Sequence, residues 1–124
     1  MQSLTDKVIV ITGASTGLGA ELARQLSLFK CHLVLFARQQ SKLDEVAAGC
    51  RSHGSQVVVV SGDVTQPLDC ERLIQTALEN FQAIDVLINN AGVSMWAKFA
   101  DVTDLAIYES IMRVNYLGCV YRSE

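Results

Sequence analysis

The chain has 124 residues, of which 50% are hydrophobic and 19% are charged. This length predicts a single domain spanning residues 1–124, with enough apolar residues to form one core. The net charge of −3 and the scattered Lys and Arg residues provide no basic stripe for a phosphate backbone, which argues against a nucleic-acid partner. No apolar run approaches the roughly 20 residues of a membrane span, and no basic-then-apolar leader is seen, so we expect a cytoplasmic protein without a membrane segment.

The first predicted strand leads directly into a glycine-rich turn and a helix. Val8 to Thr12 is a β-rich apolar run, and Leu18 to Phe29 has helical spacing. The turn and the first residues of the helix contain Gly13, Gly17 and Gly19, which allow a sharp turn, close approach of a pyrophosphate, and tight helix-strand packing. The free N–H groups and dipole of the helix N-terminus attract phosphate. The turn is therefore a predicted phosphate site, although a tight turn that needs positive φ would also require glycine.

Strands and helices continue to alternate after this unit. The remaining strands are apolar at nearly every position, which is typical of strands buried on both faces. With right-handed crossovers, the pattern predicts an α/β, Rossmann-like, doubly wound parallel sheet of order 3-2-1-4 that lacks the later strands of such sheets. These predicted strands are Leu33 to Ala37, Val57 to Ser61 and Val86 to Asn90; the helices are about Ser41 to His53 and about Leu68 to Phe81, with a last one from about Asp104.

The cysteines and histidines lack the spacing of a metal site. There is no C-x-x-C pair and no histidine at ligand spacing, so we predict reduced core thiols and no metal. His53 followed by Gly54 is typical of a helix end, and neither histidine is assigned a role. The residues concerned are Cys31, Cys50, Cys70, Cys119, His32 and His53.

Arg38 follows the second predicted strand. In nucleotide-binding sheets of this type, an enzyme selecting NAD usually has an acidic residue here against the ribose 2′-hydroxyl. The planar fork of an arginine instead matches a 2′-phosphate. We therefore predict NADP over NAD, the alternative being a solvated arginine that begins a surface helix.

Three more motifs follow in order: Gly62-Asp63-Val64 after the third strand, Asn89-Asn90-Ala91-Gly92 after the fourth, and Val114-Asn115-Tyr116-Leu117-Gly118 in the last helix. Together with the T-G-x-x-x-G-x-G of the first turn, these motifs resemble those of the short-chain dehydrogenase/reductase family, in the same order and over nearly the whole chain. A turn aspartate capping the next helix and a strand-end turn are the alternatives for the first two motifs.

The resemblance implies a role for each matching residue. The carboxylate of Asp63 would accept from the adenine amino group, and Val64 would border the ring. Asn115 would help to hold a water and position the catalytic lysine, which makes it the one catalytic candidate. The implied cofactor-binding residues are Gly13, Ser15, Thr16, Gly17, Leu18, Gly19, Arg38, Asp63, Val64, Asn90, Ala91 and Gly92.

Members of this family transfer hydride between nicotinamide and a carbonyl or alcohol carbon, using a serine and a Tyr-x-x-x-Lys pair. Neither pattern occurs here: Met112 and Val120 stand four residues after Tyr108 and Tyr116. We expect this chain alone to be inactive. Two hypotheses stay open: the N-terminal part of an oxidoreductase for a small carbonyl or alcohol substrate, or a finished nucleotide-binding or interaction module. An uncovered fourth strand would favour self-association, so a homo-oligomer is a further expectation.

Overall fold

The computed structural model describes residues 4–90, and in this part of the chain strands and helices alternate as predicted. The strand and helix boundaries lie within two residues of the predicted ones. In chain order the elements are β1 (Val8–Thr12), α1 (Gly17–Ser27), β2 (His32–Ala37), α2 (Gln40–Ser52), β3 (Gln56–Ser61), α3 (Pro67–Phe81) and β4 (Val86–Asn89). The helix predicted from about Asp104 lies outside the described residues.

The four strands form one parallel sheet with the order β3-β2-β1-β4. Val10 of β1 lies opposite Val34 of β2 on one side and Leu87 of β4 on the other. This arrangement confirms the predicted order 3-2-1-4. It also brings the carboxyl ends of the strands to one edge of the sheet, which is where ligands bind in open α/β folds.

Successive residues of the central strands point to opposite faces of the sheet, and each face is covered by helices. Val10 and Phe36 pack with Leu73 of α3 in one buried cluster. Ile9 and Leu43 belong to the second cluster, which contains residues of α1 and α2. Since fully burying one large apolar side chain contributes about 1.5–3 kcal/mol, these two layers hold the sheet and the helices together.

The prediction that all four strands are buried on both faces is wrong for β3. Every residue of β1 is buried, but in β3 only Val57 and Val60 are, while Gln56 is exposed. The reason is the position of β3 at the edge of the sheet, where β2 is its one strand neighbour among the described residues.

Most helix ends follow the predicted chemistry. Pro67 is the first residue of α3, where its missing N–H does not interrupt a helical hydrogen bond. After α2, His53 is followed by Gly54 in the left-handed region with φ of 97°. The prediction that α1 continues to Phe29 is wrong, because the helix ends at Ser27 and the chain turns through Lys30, whose φ is 58°.

Three cysteines lie in the core as free thiols, as predicted. Cys31, Cys50 and Cys70 are fully buried and not disulfide-bonded. Burial raises the pKa of the Cys31 and Cys50 thiols, which keeps both in the neutral form. Residues 4–90 contain no cluster of three or more potential metal ligands, and none of their helices is both long and apolar enough to cross a membrane. Cys119 is outside the described part.

Candidate nucleotide-binding cleft

A cleft of about 590 Å³ opens where β1, β2 and β3 end. Gly13, Ser15 and Thr16 line it from the turn after β1. Three residues of the predicted phosphate turn therefore border a concave surface at the carboxyl edge of the sheet, the expected place for a ligand in this type of fold.

The other walls come from the next two strand ends. Arg38, Gln39 and Lys42 line the cleft after β2, together with Ala37, the last residue of that strand. Gly62 and Val64 line it after β3. The cleft thus combines the glycine turn, two cations and the apolar side chains of Ala37 and Val64, which suits a phosphate-bearing ligand with an aromatic base.

The three glycines of the turn have distinct roles in the structure. Gly13 has φ of 63° and Gly17 has φ of 58°, and residues other than glycine rarely adopt this backbone conformation. A Cβ on Gly17 would meet no atom within 4 Å, so this backbone is open to an approaching group. A Cβ on Gly19 would lie 2.8 Å from Gly13 C and 2.9 Å from Asn90 Nδ2. Gly19 is therefore required for close packing of α1 on the turn.

The first turn of α1 has the features of an anion site. Thr16, the N-cap residue, makes no capping hydrogen bond with its side chain, and the first turn contains no acidic residue. The N–H groups at this helix end are therefore not occupied by a side-chain cap and are not screened by a carboxylate in that turn. Such a helix end attracts phosphate through its N–H groups and its dipole.

Asn90 lies behind the glycine turn and supports it. Its backbone N–H donates to Thr12 Oγ1 at 2.9 Å, and its Nδ2 donates to the carbonyl oxygen of Gly13 at 3.3 Å. Thr12 is fully buried. The sequence analysis did not predict a role for the hydroxyl of Thr12. The feature that could have indicated one is a polar residue at the end of an otherwise apolar strand.

Asp63 forms a turn and also faces Arg38. Its Oδ1 accepts hydrogen bonds from the backbone N–H of Thr65 at 2.9 Å and from Thr65 Oγ1 at 2.7 Å. Its Oδ2 lies 3.8 Å from Arg38 Nη2. These two Thr65 hydrogen bonds, aided by Arg38, lower the pKa of the Asp63 carboxyl. The predicted alternative, a turn aspartate, is thus present in the structure, although the N-cap of α3 is Gln66.

The loop after β3 is held by a charged pair that the sequence analysis missed. Asp69 Oδ2 accepts from the backbone N–H of Asp63 at 2.9 Å, and Arg72 Nη2 donates to the Ser61 carbonyl at 2.6 Å. A Cβ on Gly62 would lie 2.8 Å from Phe36 Cε1, so the loop passes close over that ring. These contacts fix Val64 at the cleft wall.

The remaining predicted site residues differ in their placement. Leu18 is 60% exposed at the start of α1 and does not line the cleft. Ala91, Gly92 and Asn115 lie outside the described residues, so their roles stay predictions.

Residues 7–124 match the family described as short chain dehydrogenase. The chain belongs to the short-chain dehydrogenase/reductase family. One relative is 11-beta-hydroxysteroid dehydrogenase 1A of Arabidopsis thaliana, to which the chain is 37% identical over 121 residues. The aligned region covers 97% of this chain and 35% of that protein. It is 39% identical to 11-beta-hydroxysteroid dehydrogenase A of Sesamum indicum, with coverage of 97% and 35%. The chain thus spans little more than a third of either relative.

Solved structures of the family have the same fold. A metagenomic short-chain oxidoreductase in complex with NADP is 35% identical, with a TM-score of 0.69, over 74% of this chain and 42% of the other. A short-chain dehydrogenase/reductase from Burkholderia phymatum in complex with NAD is 34% identical, with a TM-score of 0.70, over 75% and 33%. These likenesses confirm the Rossmann-like sheet.

Proposed function

We propose that this chain is the nucleotide-binding part of an NADP-preferring short-chain dehydrogenase/reductase. The observation that carries the NADP preference is Arg38, which lines the cleft directly after β2. This is the position where an NAD enzyme usually has an acidic residue against the ribose 2′-hydroxyl. Solved relatives are found with either cofactor, so the cation at this position is the argument for NADP.

The residues of the cleft fit such a cofactor. The backbone of the glycine turn and the uncapped start of α1 would hold the pyrophosphate, since a Cβ on Gly17 would meet open space and no side chain caps this helix end. Val64 would border the adenine. When bound, NADP supplies the carbon that gives or takes a hydride.

The substrate proposed is a small molecule with a carbonyl or a secondary alcohol. The support is family membership and the relatives' names, which describe hydroxysteroid dehydrogenases. Asn115 is proposed to position the catalytic group. Because the 124-residue sequence has no Tyr-x-x-x-Lys pair, we expect binding but no turnover from this chain alone.

The test compares NADPH and NADH binding to the Arg38→Asp variant. Loss of a charge-assisted contact to phosphate, worth about 1.5–3 kcal/mol, should weaken NADPH binding by roughly tenfold to a hundredfold. NADH has no 2′-phosphate, so its dissociation constant should change much less. Arg24→Asp is the matched control, because Arg24 lies in the last turn of α1 and pairs with Glu21. Equal losses for the two cofactors would refute the role of Arg38.

A further inference from the structure

Two charged side chains from the first two turns of α3 hold the backbone that follows β3. Asp69 Oδ2 accepts from the backbone N–H of Asp63 at 2.9 Å, and Arg72 Nη2 donates to the carbonyl oxygen of Ser61 at 2.6 Å. The two side chains also contact each other, with Arg72 Nη2 3.3 Å from Asp69 Oδ1. This Asp69/Arg72 pair therefore fixes the peptide groups on both sides of Gly62.

Gly62 is also confined by the end of β2. A Cβ on Gly62 would lie 2.8 Å from Phe36 Cε1 and 3.1 Å from Arg72 Nη2. Its backbone N–H donates to the carbonyl oxygen of Ala37 at 3.0 Å. The loop after β3 therefore has little room to move while the Asp69/Arg72 pair is intact.

The pair acts on the cleft from outside it. Gly62 and Val64 line the cleft, whereas Asp69 and Arg72 do not. The two side chains can therefore influence a ligand by fixing the loop that borders it. They are candidate positioning residues for whatever group the loop presents to the ligand.

The group that the loop presents is the carboxylate of Asp63, which stands between two cleft residues. Its Oδ1 accepts from the backbone N–H of Thr65 at 2.9 Å and from Thr65 Oγ1 at 2.7 Å. These hydrogen bonds lower the pKa of the Asp63 carboxyl, which is therefore ionised at neutral pH. Its Oδ2 lies 3.8 Å from Arg38 Nη2, too far for a hydrogen bond, so this oxygen can accept from a ligand.

A carboxylate held in one place can distinguish two purine bases by the group at their six-position. Adenine carries an amino group there, which donates to a carboxylate, whereas hypoxanthine carries an oxygen, which can only accept. Hypoxanthine has a ring N–H beside that oxygen, and a carboxylate on a loose loop could move to accept from it. A fixed loop therefore discriminates against hypoxanthine, because its carboxylate would face an acceptor.

We propose that the Asp69/Arg72 pair gives the nucleotide site its selectivity for adenine, by holding Asp63 where it accepts from the amino group of the base. This inference rests on the proposed function, in which the cleft receives the adenine of a nicotinamide cofactor. Asp69 and Arg72 do not contact the base in this arrangement. Their effect passes through the two peptide groups that flank Gly62.

The experiment measures dissociation constants of NADPH and of its analogue with hypoxanthine in place of adenine, by calorimetric titration of the 124-residue chain. Because adenine alone donates from the six-position, the unaltered chain should bind NADPH roughly tenfold more tightly than the analogue. Asp69→Ala releases the loop, so this preference should fall to about threefold or less. Arg72→Met, which keeps an apolar stem without the donors, should have the same effect.

Three further variants identify the cause. Asp69→Asn keeps an oxygen that can accept from the Asp63 N–H, so it should retain most of the preference. Asp63→Ala should abolish the preference, because it removes the acceptor itself. Asp44→Ala is the matched control, since it removes a helical carboxylate that accepts from Gln40 and lies outside the residues that line the cleft. A thermal scan of each variant distinguishes altered binding from loss of the fold.

The outcomes separate this inference from the proposed function. Equal weakening of NADPH and the analogue in Asp69→Ala and Arg72→Met would overturn it, because a merely structural role would lower both affinities together. An unaltered chain that binds the two equally would also overturn it. If Asp69→Ala does not fold, the ratio in Arg72→Met decides in the same terms.

The proposed NADP preference can fail independently of this inference. If NADPH binds no more tightly than NADH but the base preference behaves as predicted, the NADP preference fails and the role of Asp69 and Arg72 stands, because both cofactors carry adenine. A chain that binds neither cofactor would overturn both.

Discussion

Replacing Gly19 by alanine should destabilise the glycine turn, and the structure indicates by how much. The added Cβ would overlap the carbonyl oxygen of Gly13 and would lie 2.8 Å from Gly13 C. Restoring an ordinary separation of 3.4 Å from that carbon alone requires α1 to move by about 0.6 Å. Overpacking of this kind costs about 1–3 kcal/mol, partly offset by the better helix propensity of alanine.

Because the overlap is with backbone, we take the upper end of this cost, about 3 kcal/mol; subtracting about 1 kcal/mol for helix propensity leaves an expected net loss of about 2 kcal/mol in the free energy of unfolding. At roughly 4 °C per kcal/mol for a chain of this size, the Tm should fall by about 8 °C. Urea unfolding and a thermal scan of the purified chain measure both quantities. The obstacle consists of backbone atoms, so a side-chain rotation cannot relieve it.

Gly49→Ala is the matched control for this prediction. Gly49 also lies within a helix, but a Cβ there would meet nothing within 4 Å. Alanine should therefore stabilise α2 by about 0.5–1 kcal/mol. An unchanged Tm in Gly19→Ala, or an equal loss in both variants, would refute the close-packing role of Gly19.

Two further predictions concern polar groups at the ends of β1 and β3. Thr12→Val keeps the side-chain shape but leaves the Asn90 N–H without its acceptor, so urea unfolding should show a loss of about 1–3 kcal/mol that Thr12→Ser avoids; a fully stable valine variant would contradict this. Because the folded state lowers the Asp63 pKa, its carboxylate stabilises the fold above the unfolded pKa of about 3.9, and this contribution disappears as the pH falls through the lower folded value. The stability difference between the unaltered chain and Asp63→Asn should therefore shrink on acidification, and a difference independent of pH would refute that linkage.

Local patterns in the sequence were sufficient to predict the sheet and the edge at which the cleft lies. The apolar runs predicted the four strands, and their alternation with helices predicted the order 3-2-1-4 that the structure has. Gly13 and Arg38 were placed in the cleft for the same reason, since each directly follows a strand. Strand-end residues are predictable because parallel strands bring their carboxyl ends together.

Contacts between distant segments could not be predicted in this way. The hydrogen bond from Asn90 to Gly13 joins residues 77 positions apart, and no local pattern specifies its geometry. The proximity of Asp63 to Arg38 depends on how two loops from adjacent strands approach each other. Lys42 was missed because a lysine in a predicted surface helix has no pattern that separates a cleft residue from a solvated one.

The most direct test of the account is calorimetric titration of the unaltered 124-residue chain with NADPH and with NADH under identical salt and pH. A charge-assisted contact between Arg38 and a 2′-phosphate, worth about 1.5–3 kcal/mol, predicts a dissociation constant for NADPH at least roughly tenfold below that for NADH. A chain that binds NADH as tightly as NADPH, or binds neither, would contradict the proposed NADP site.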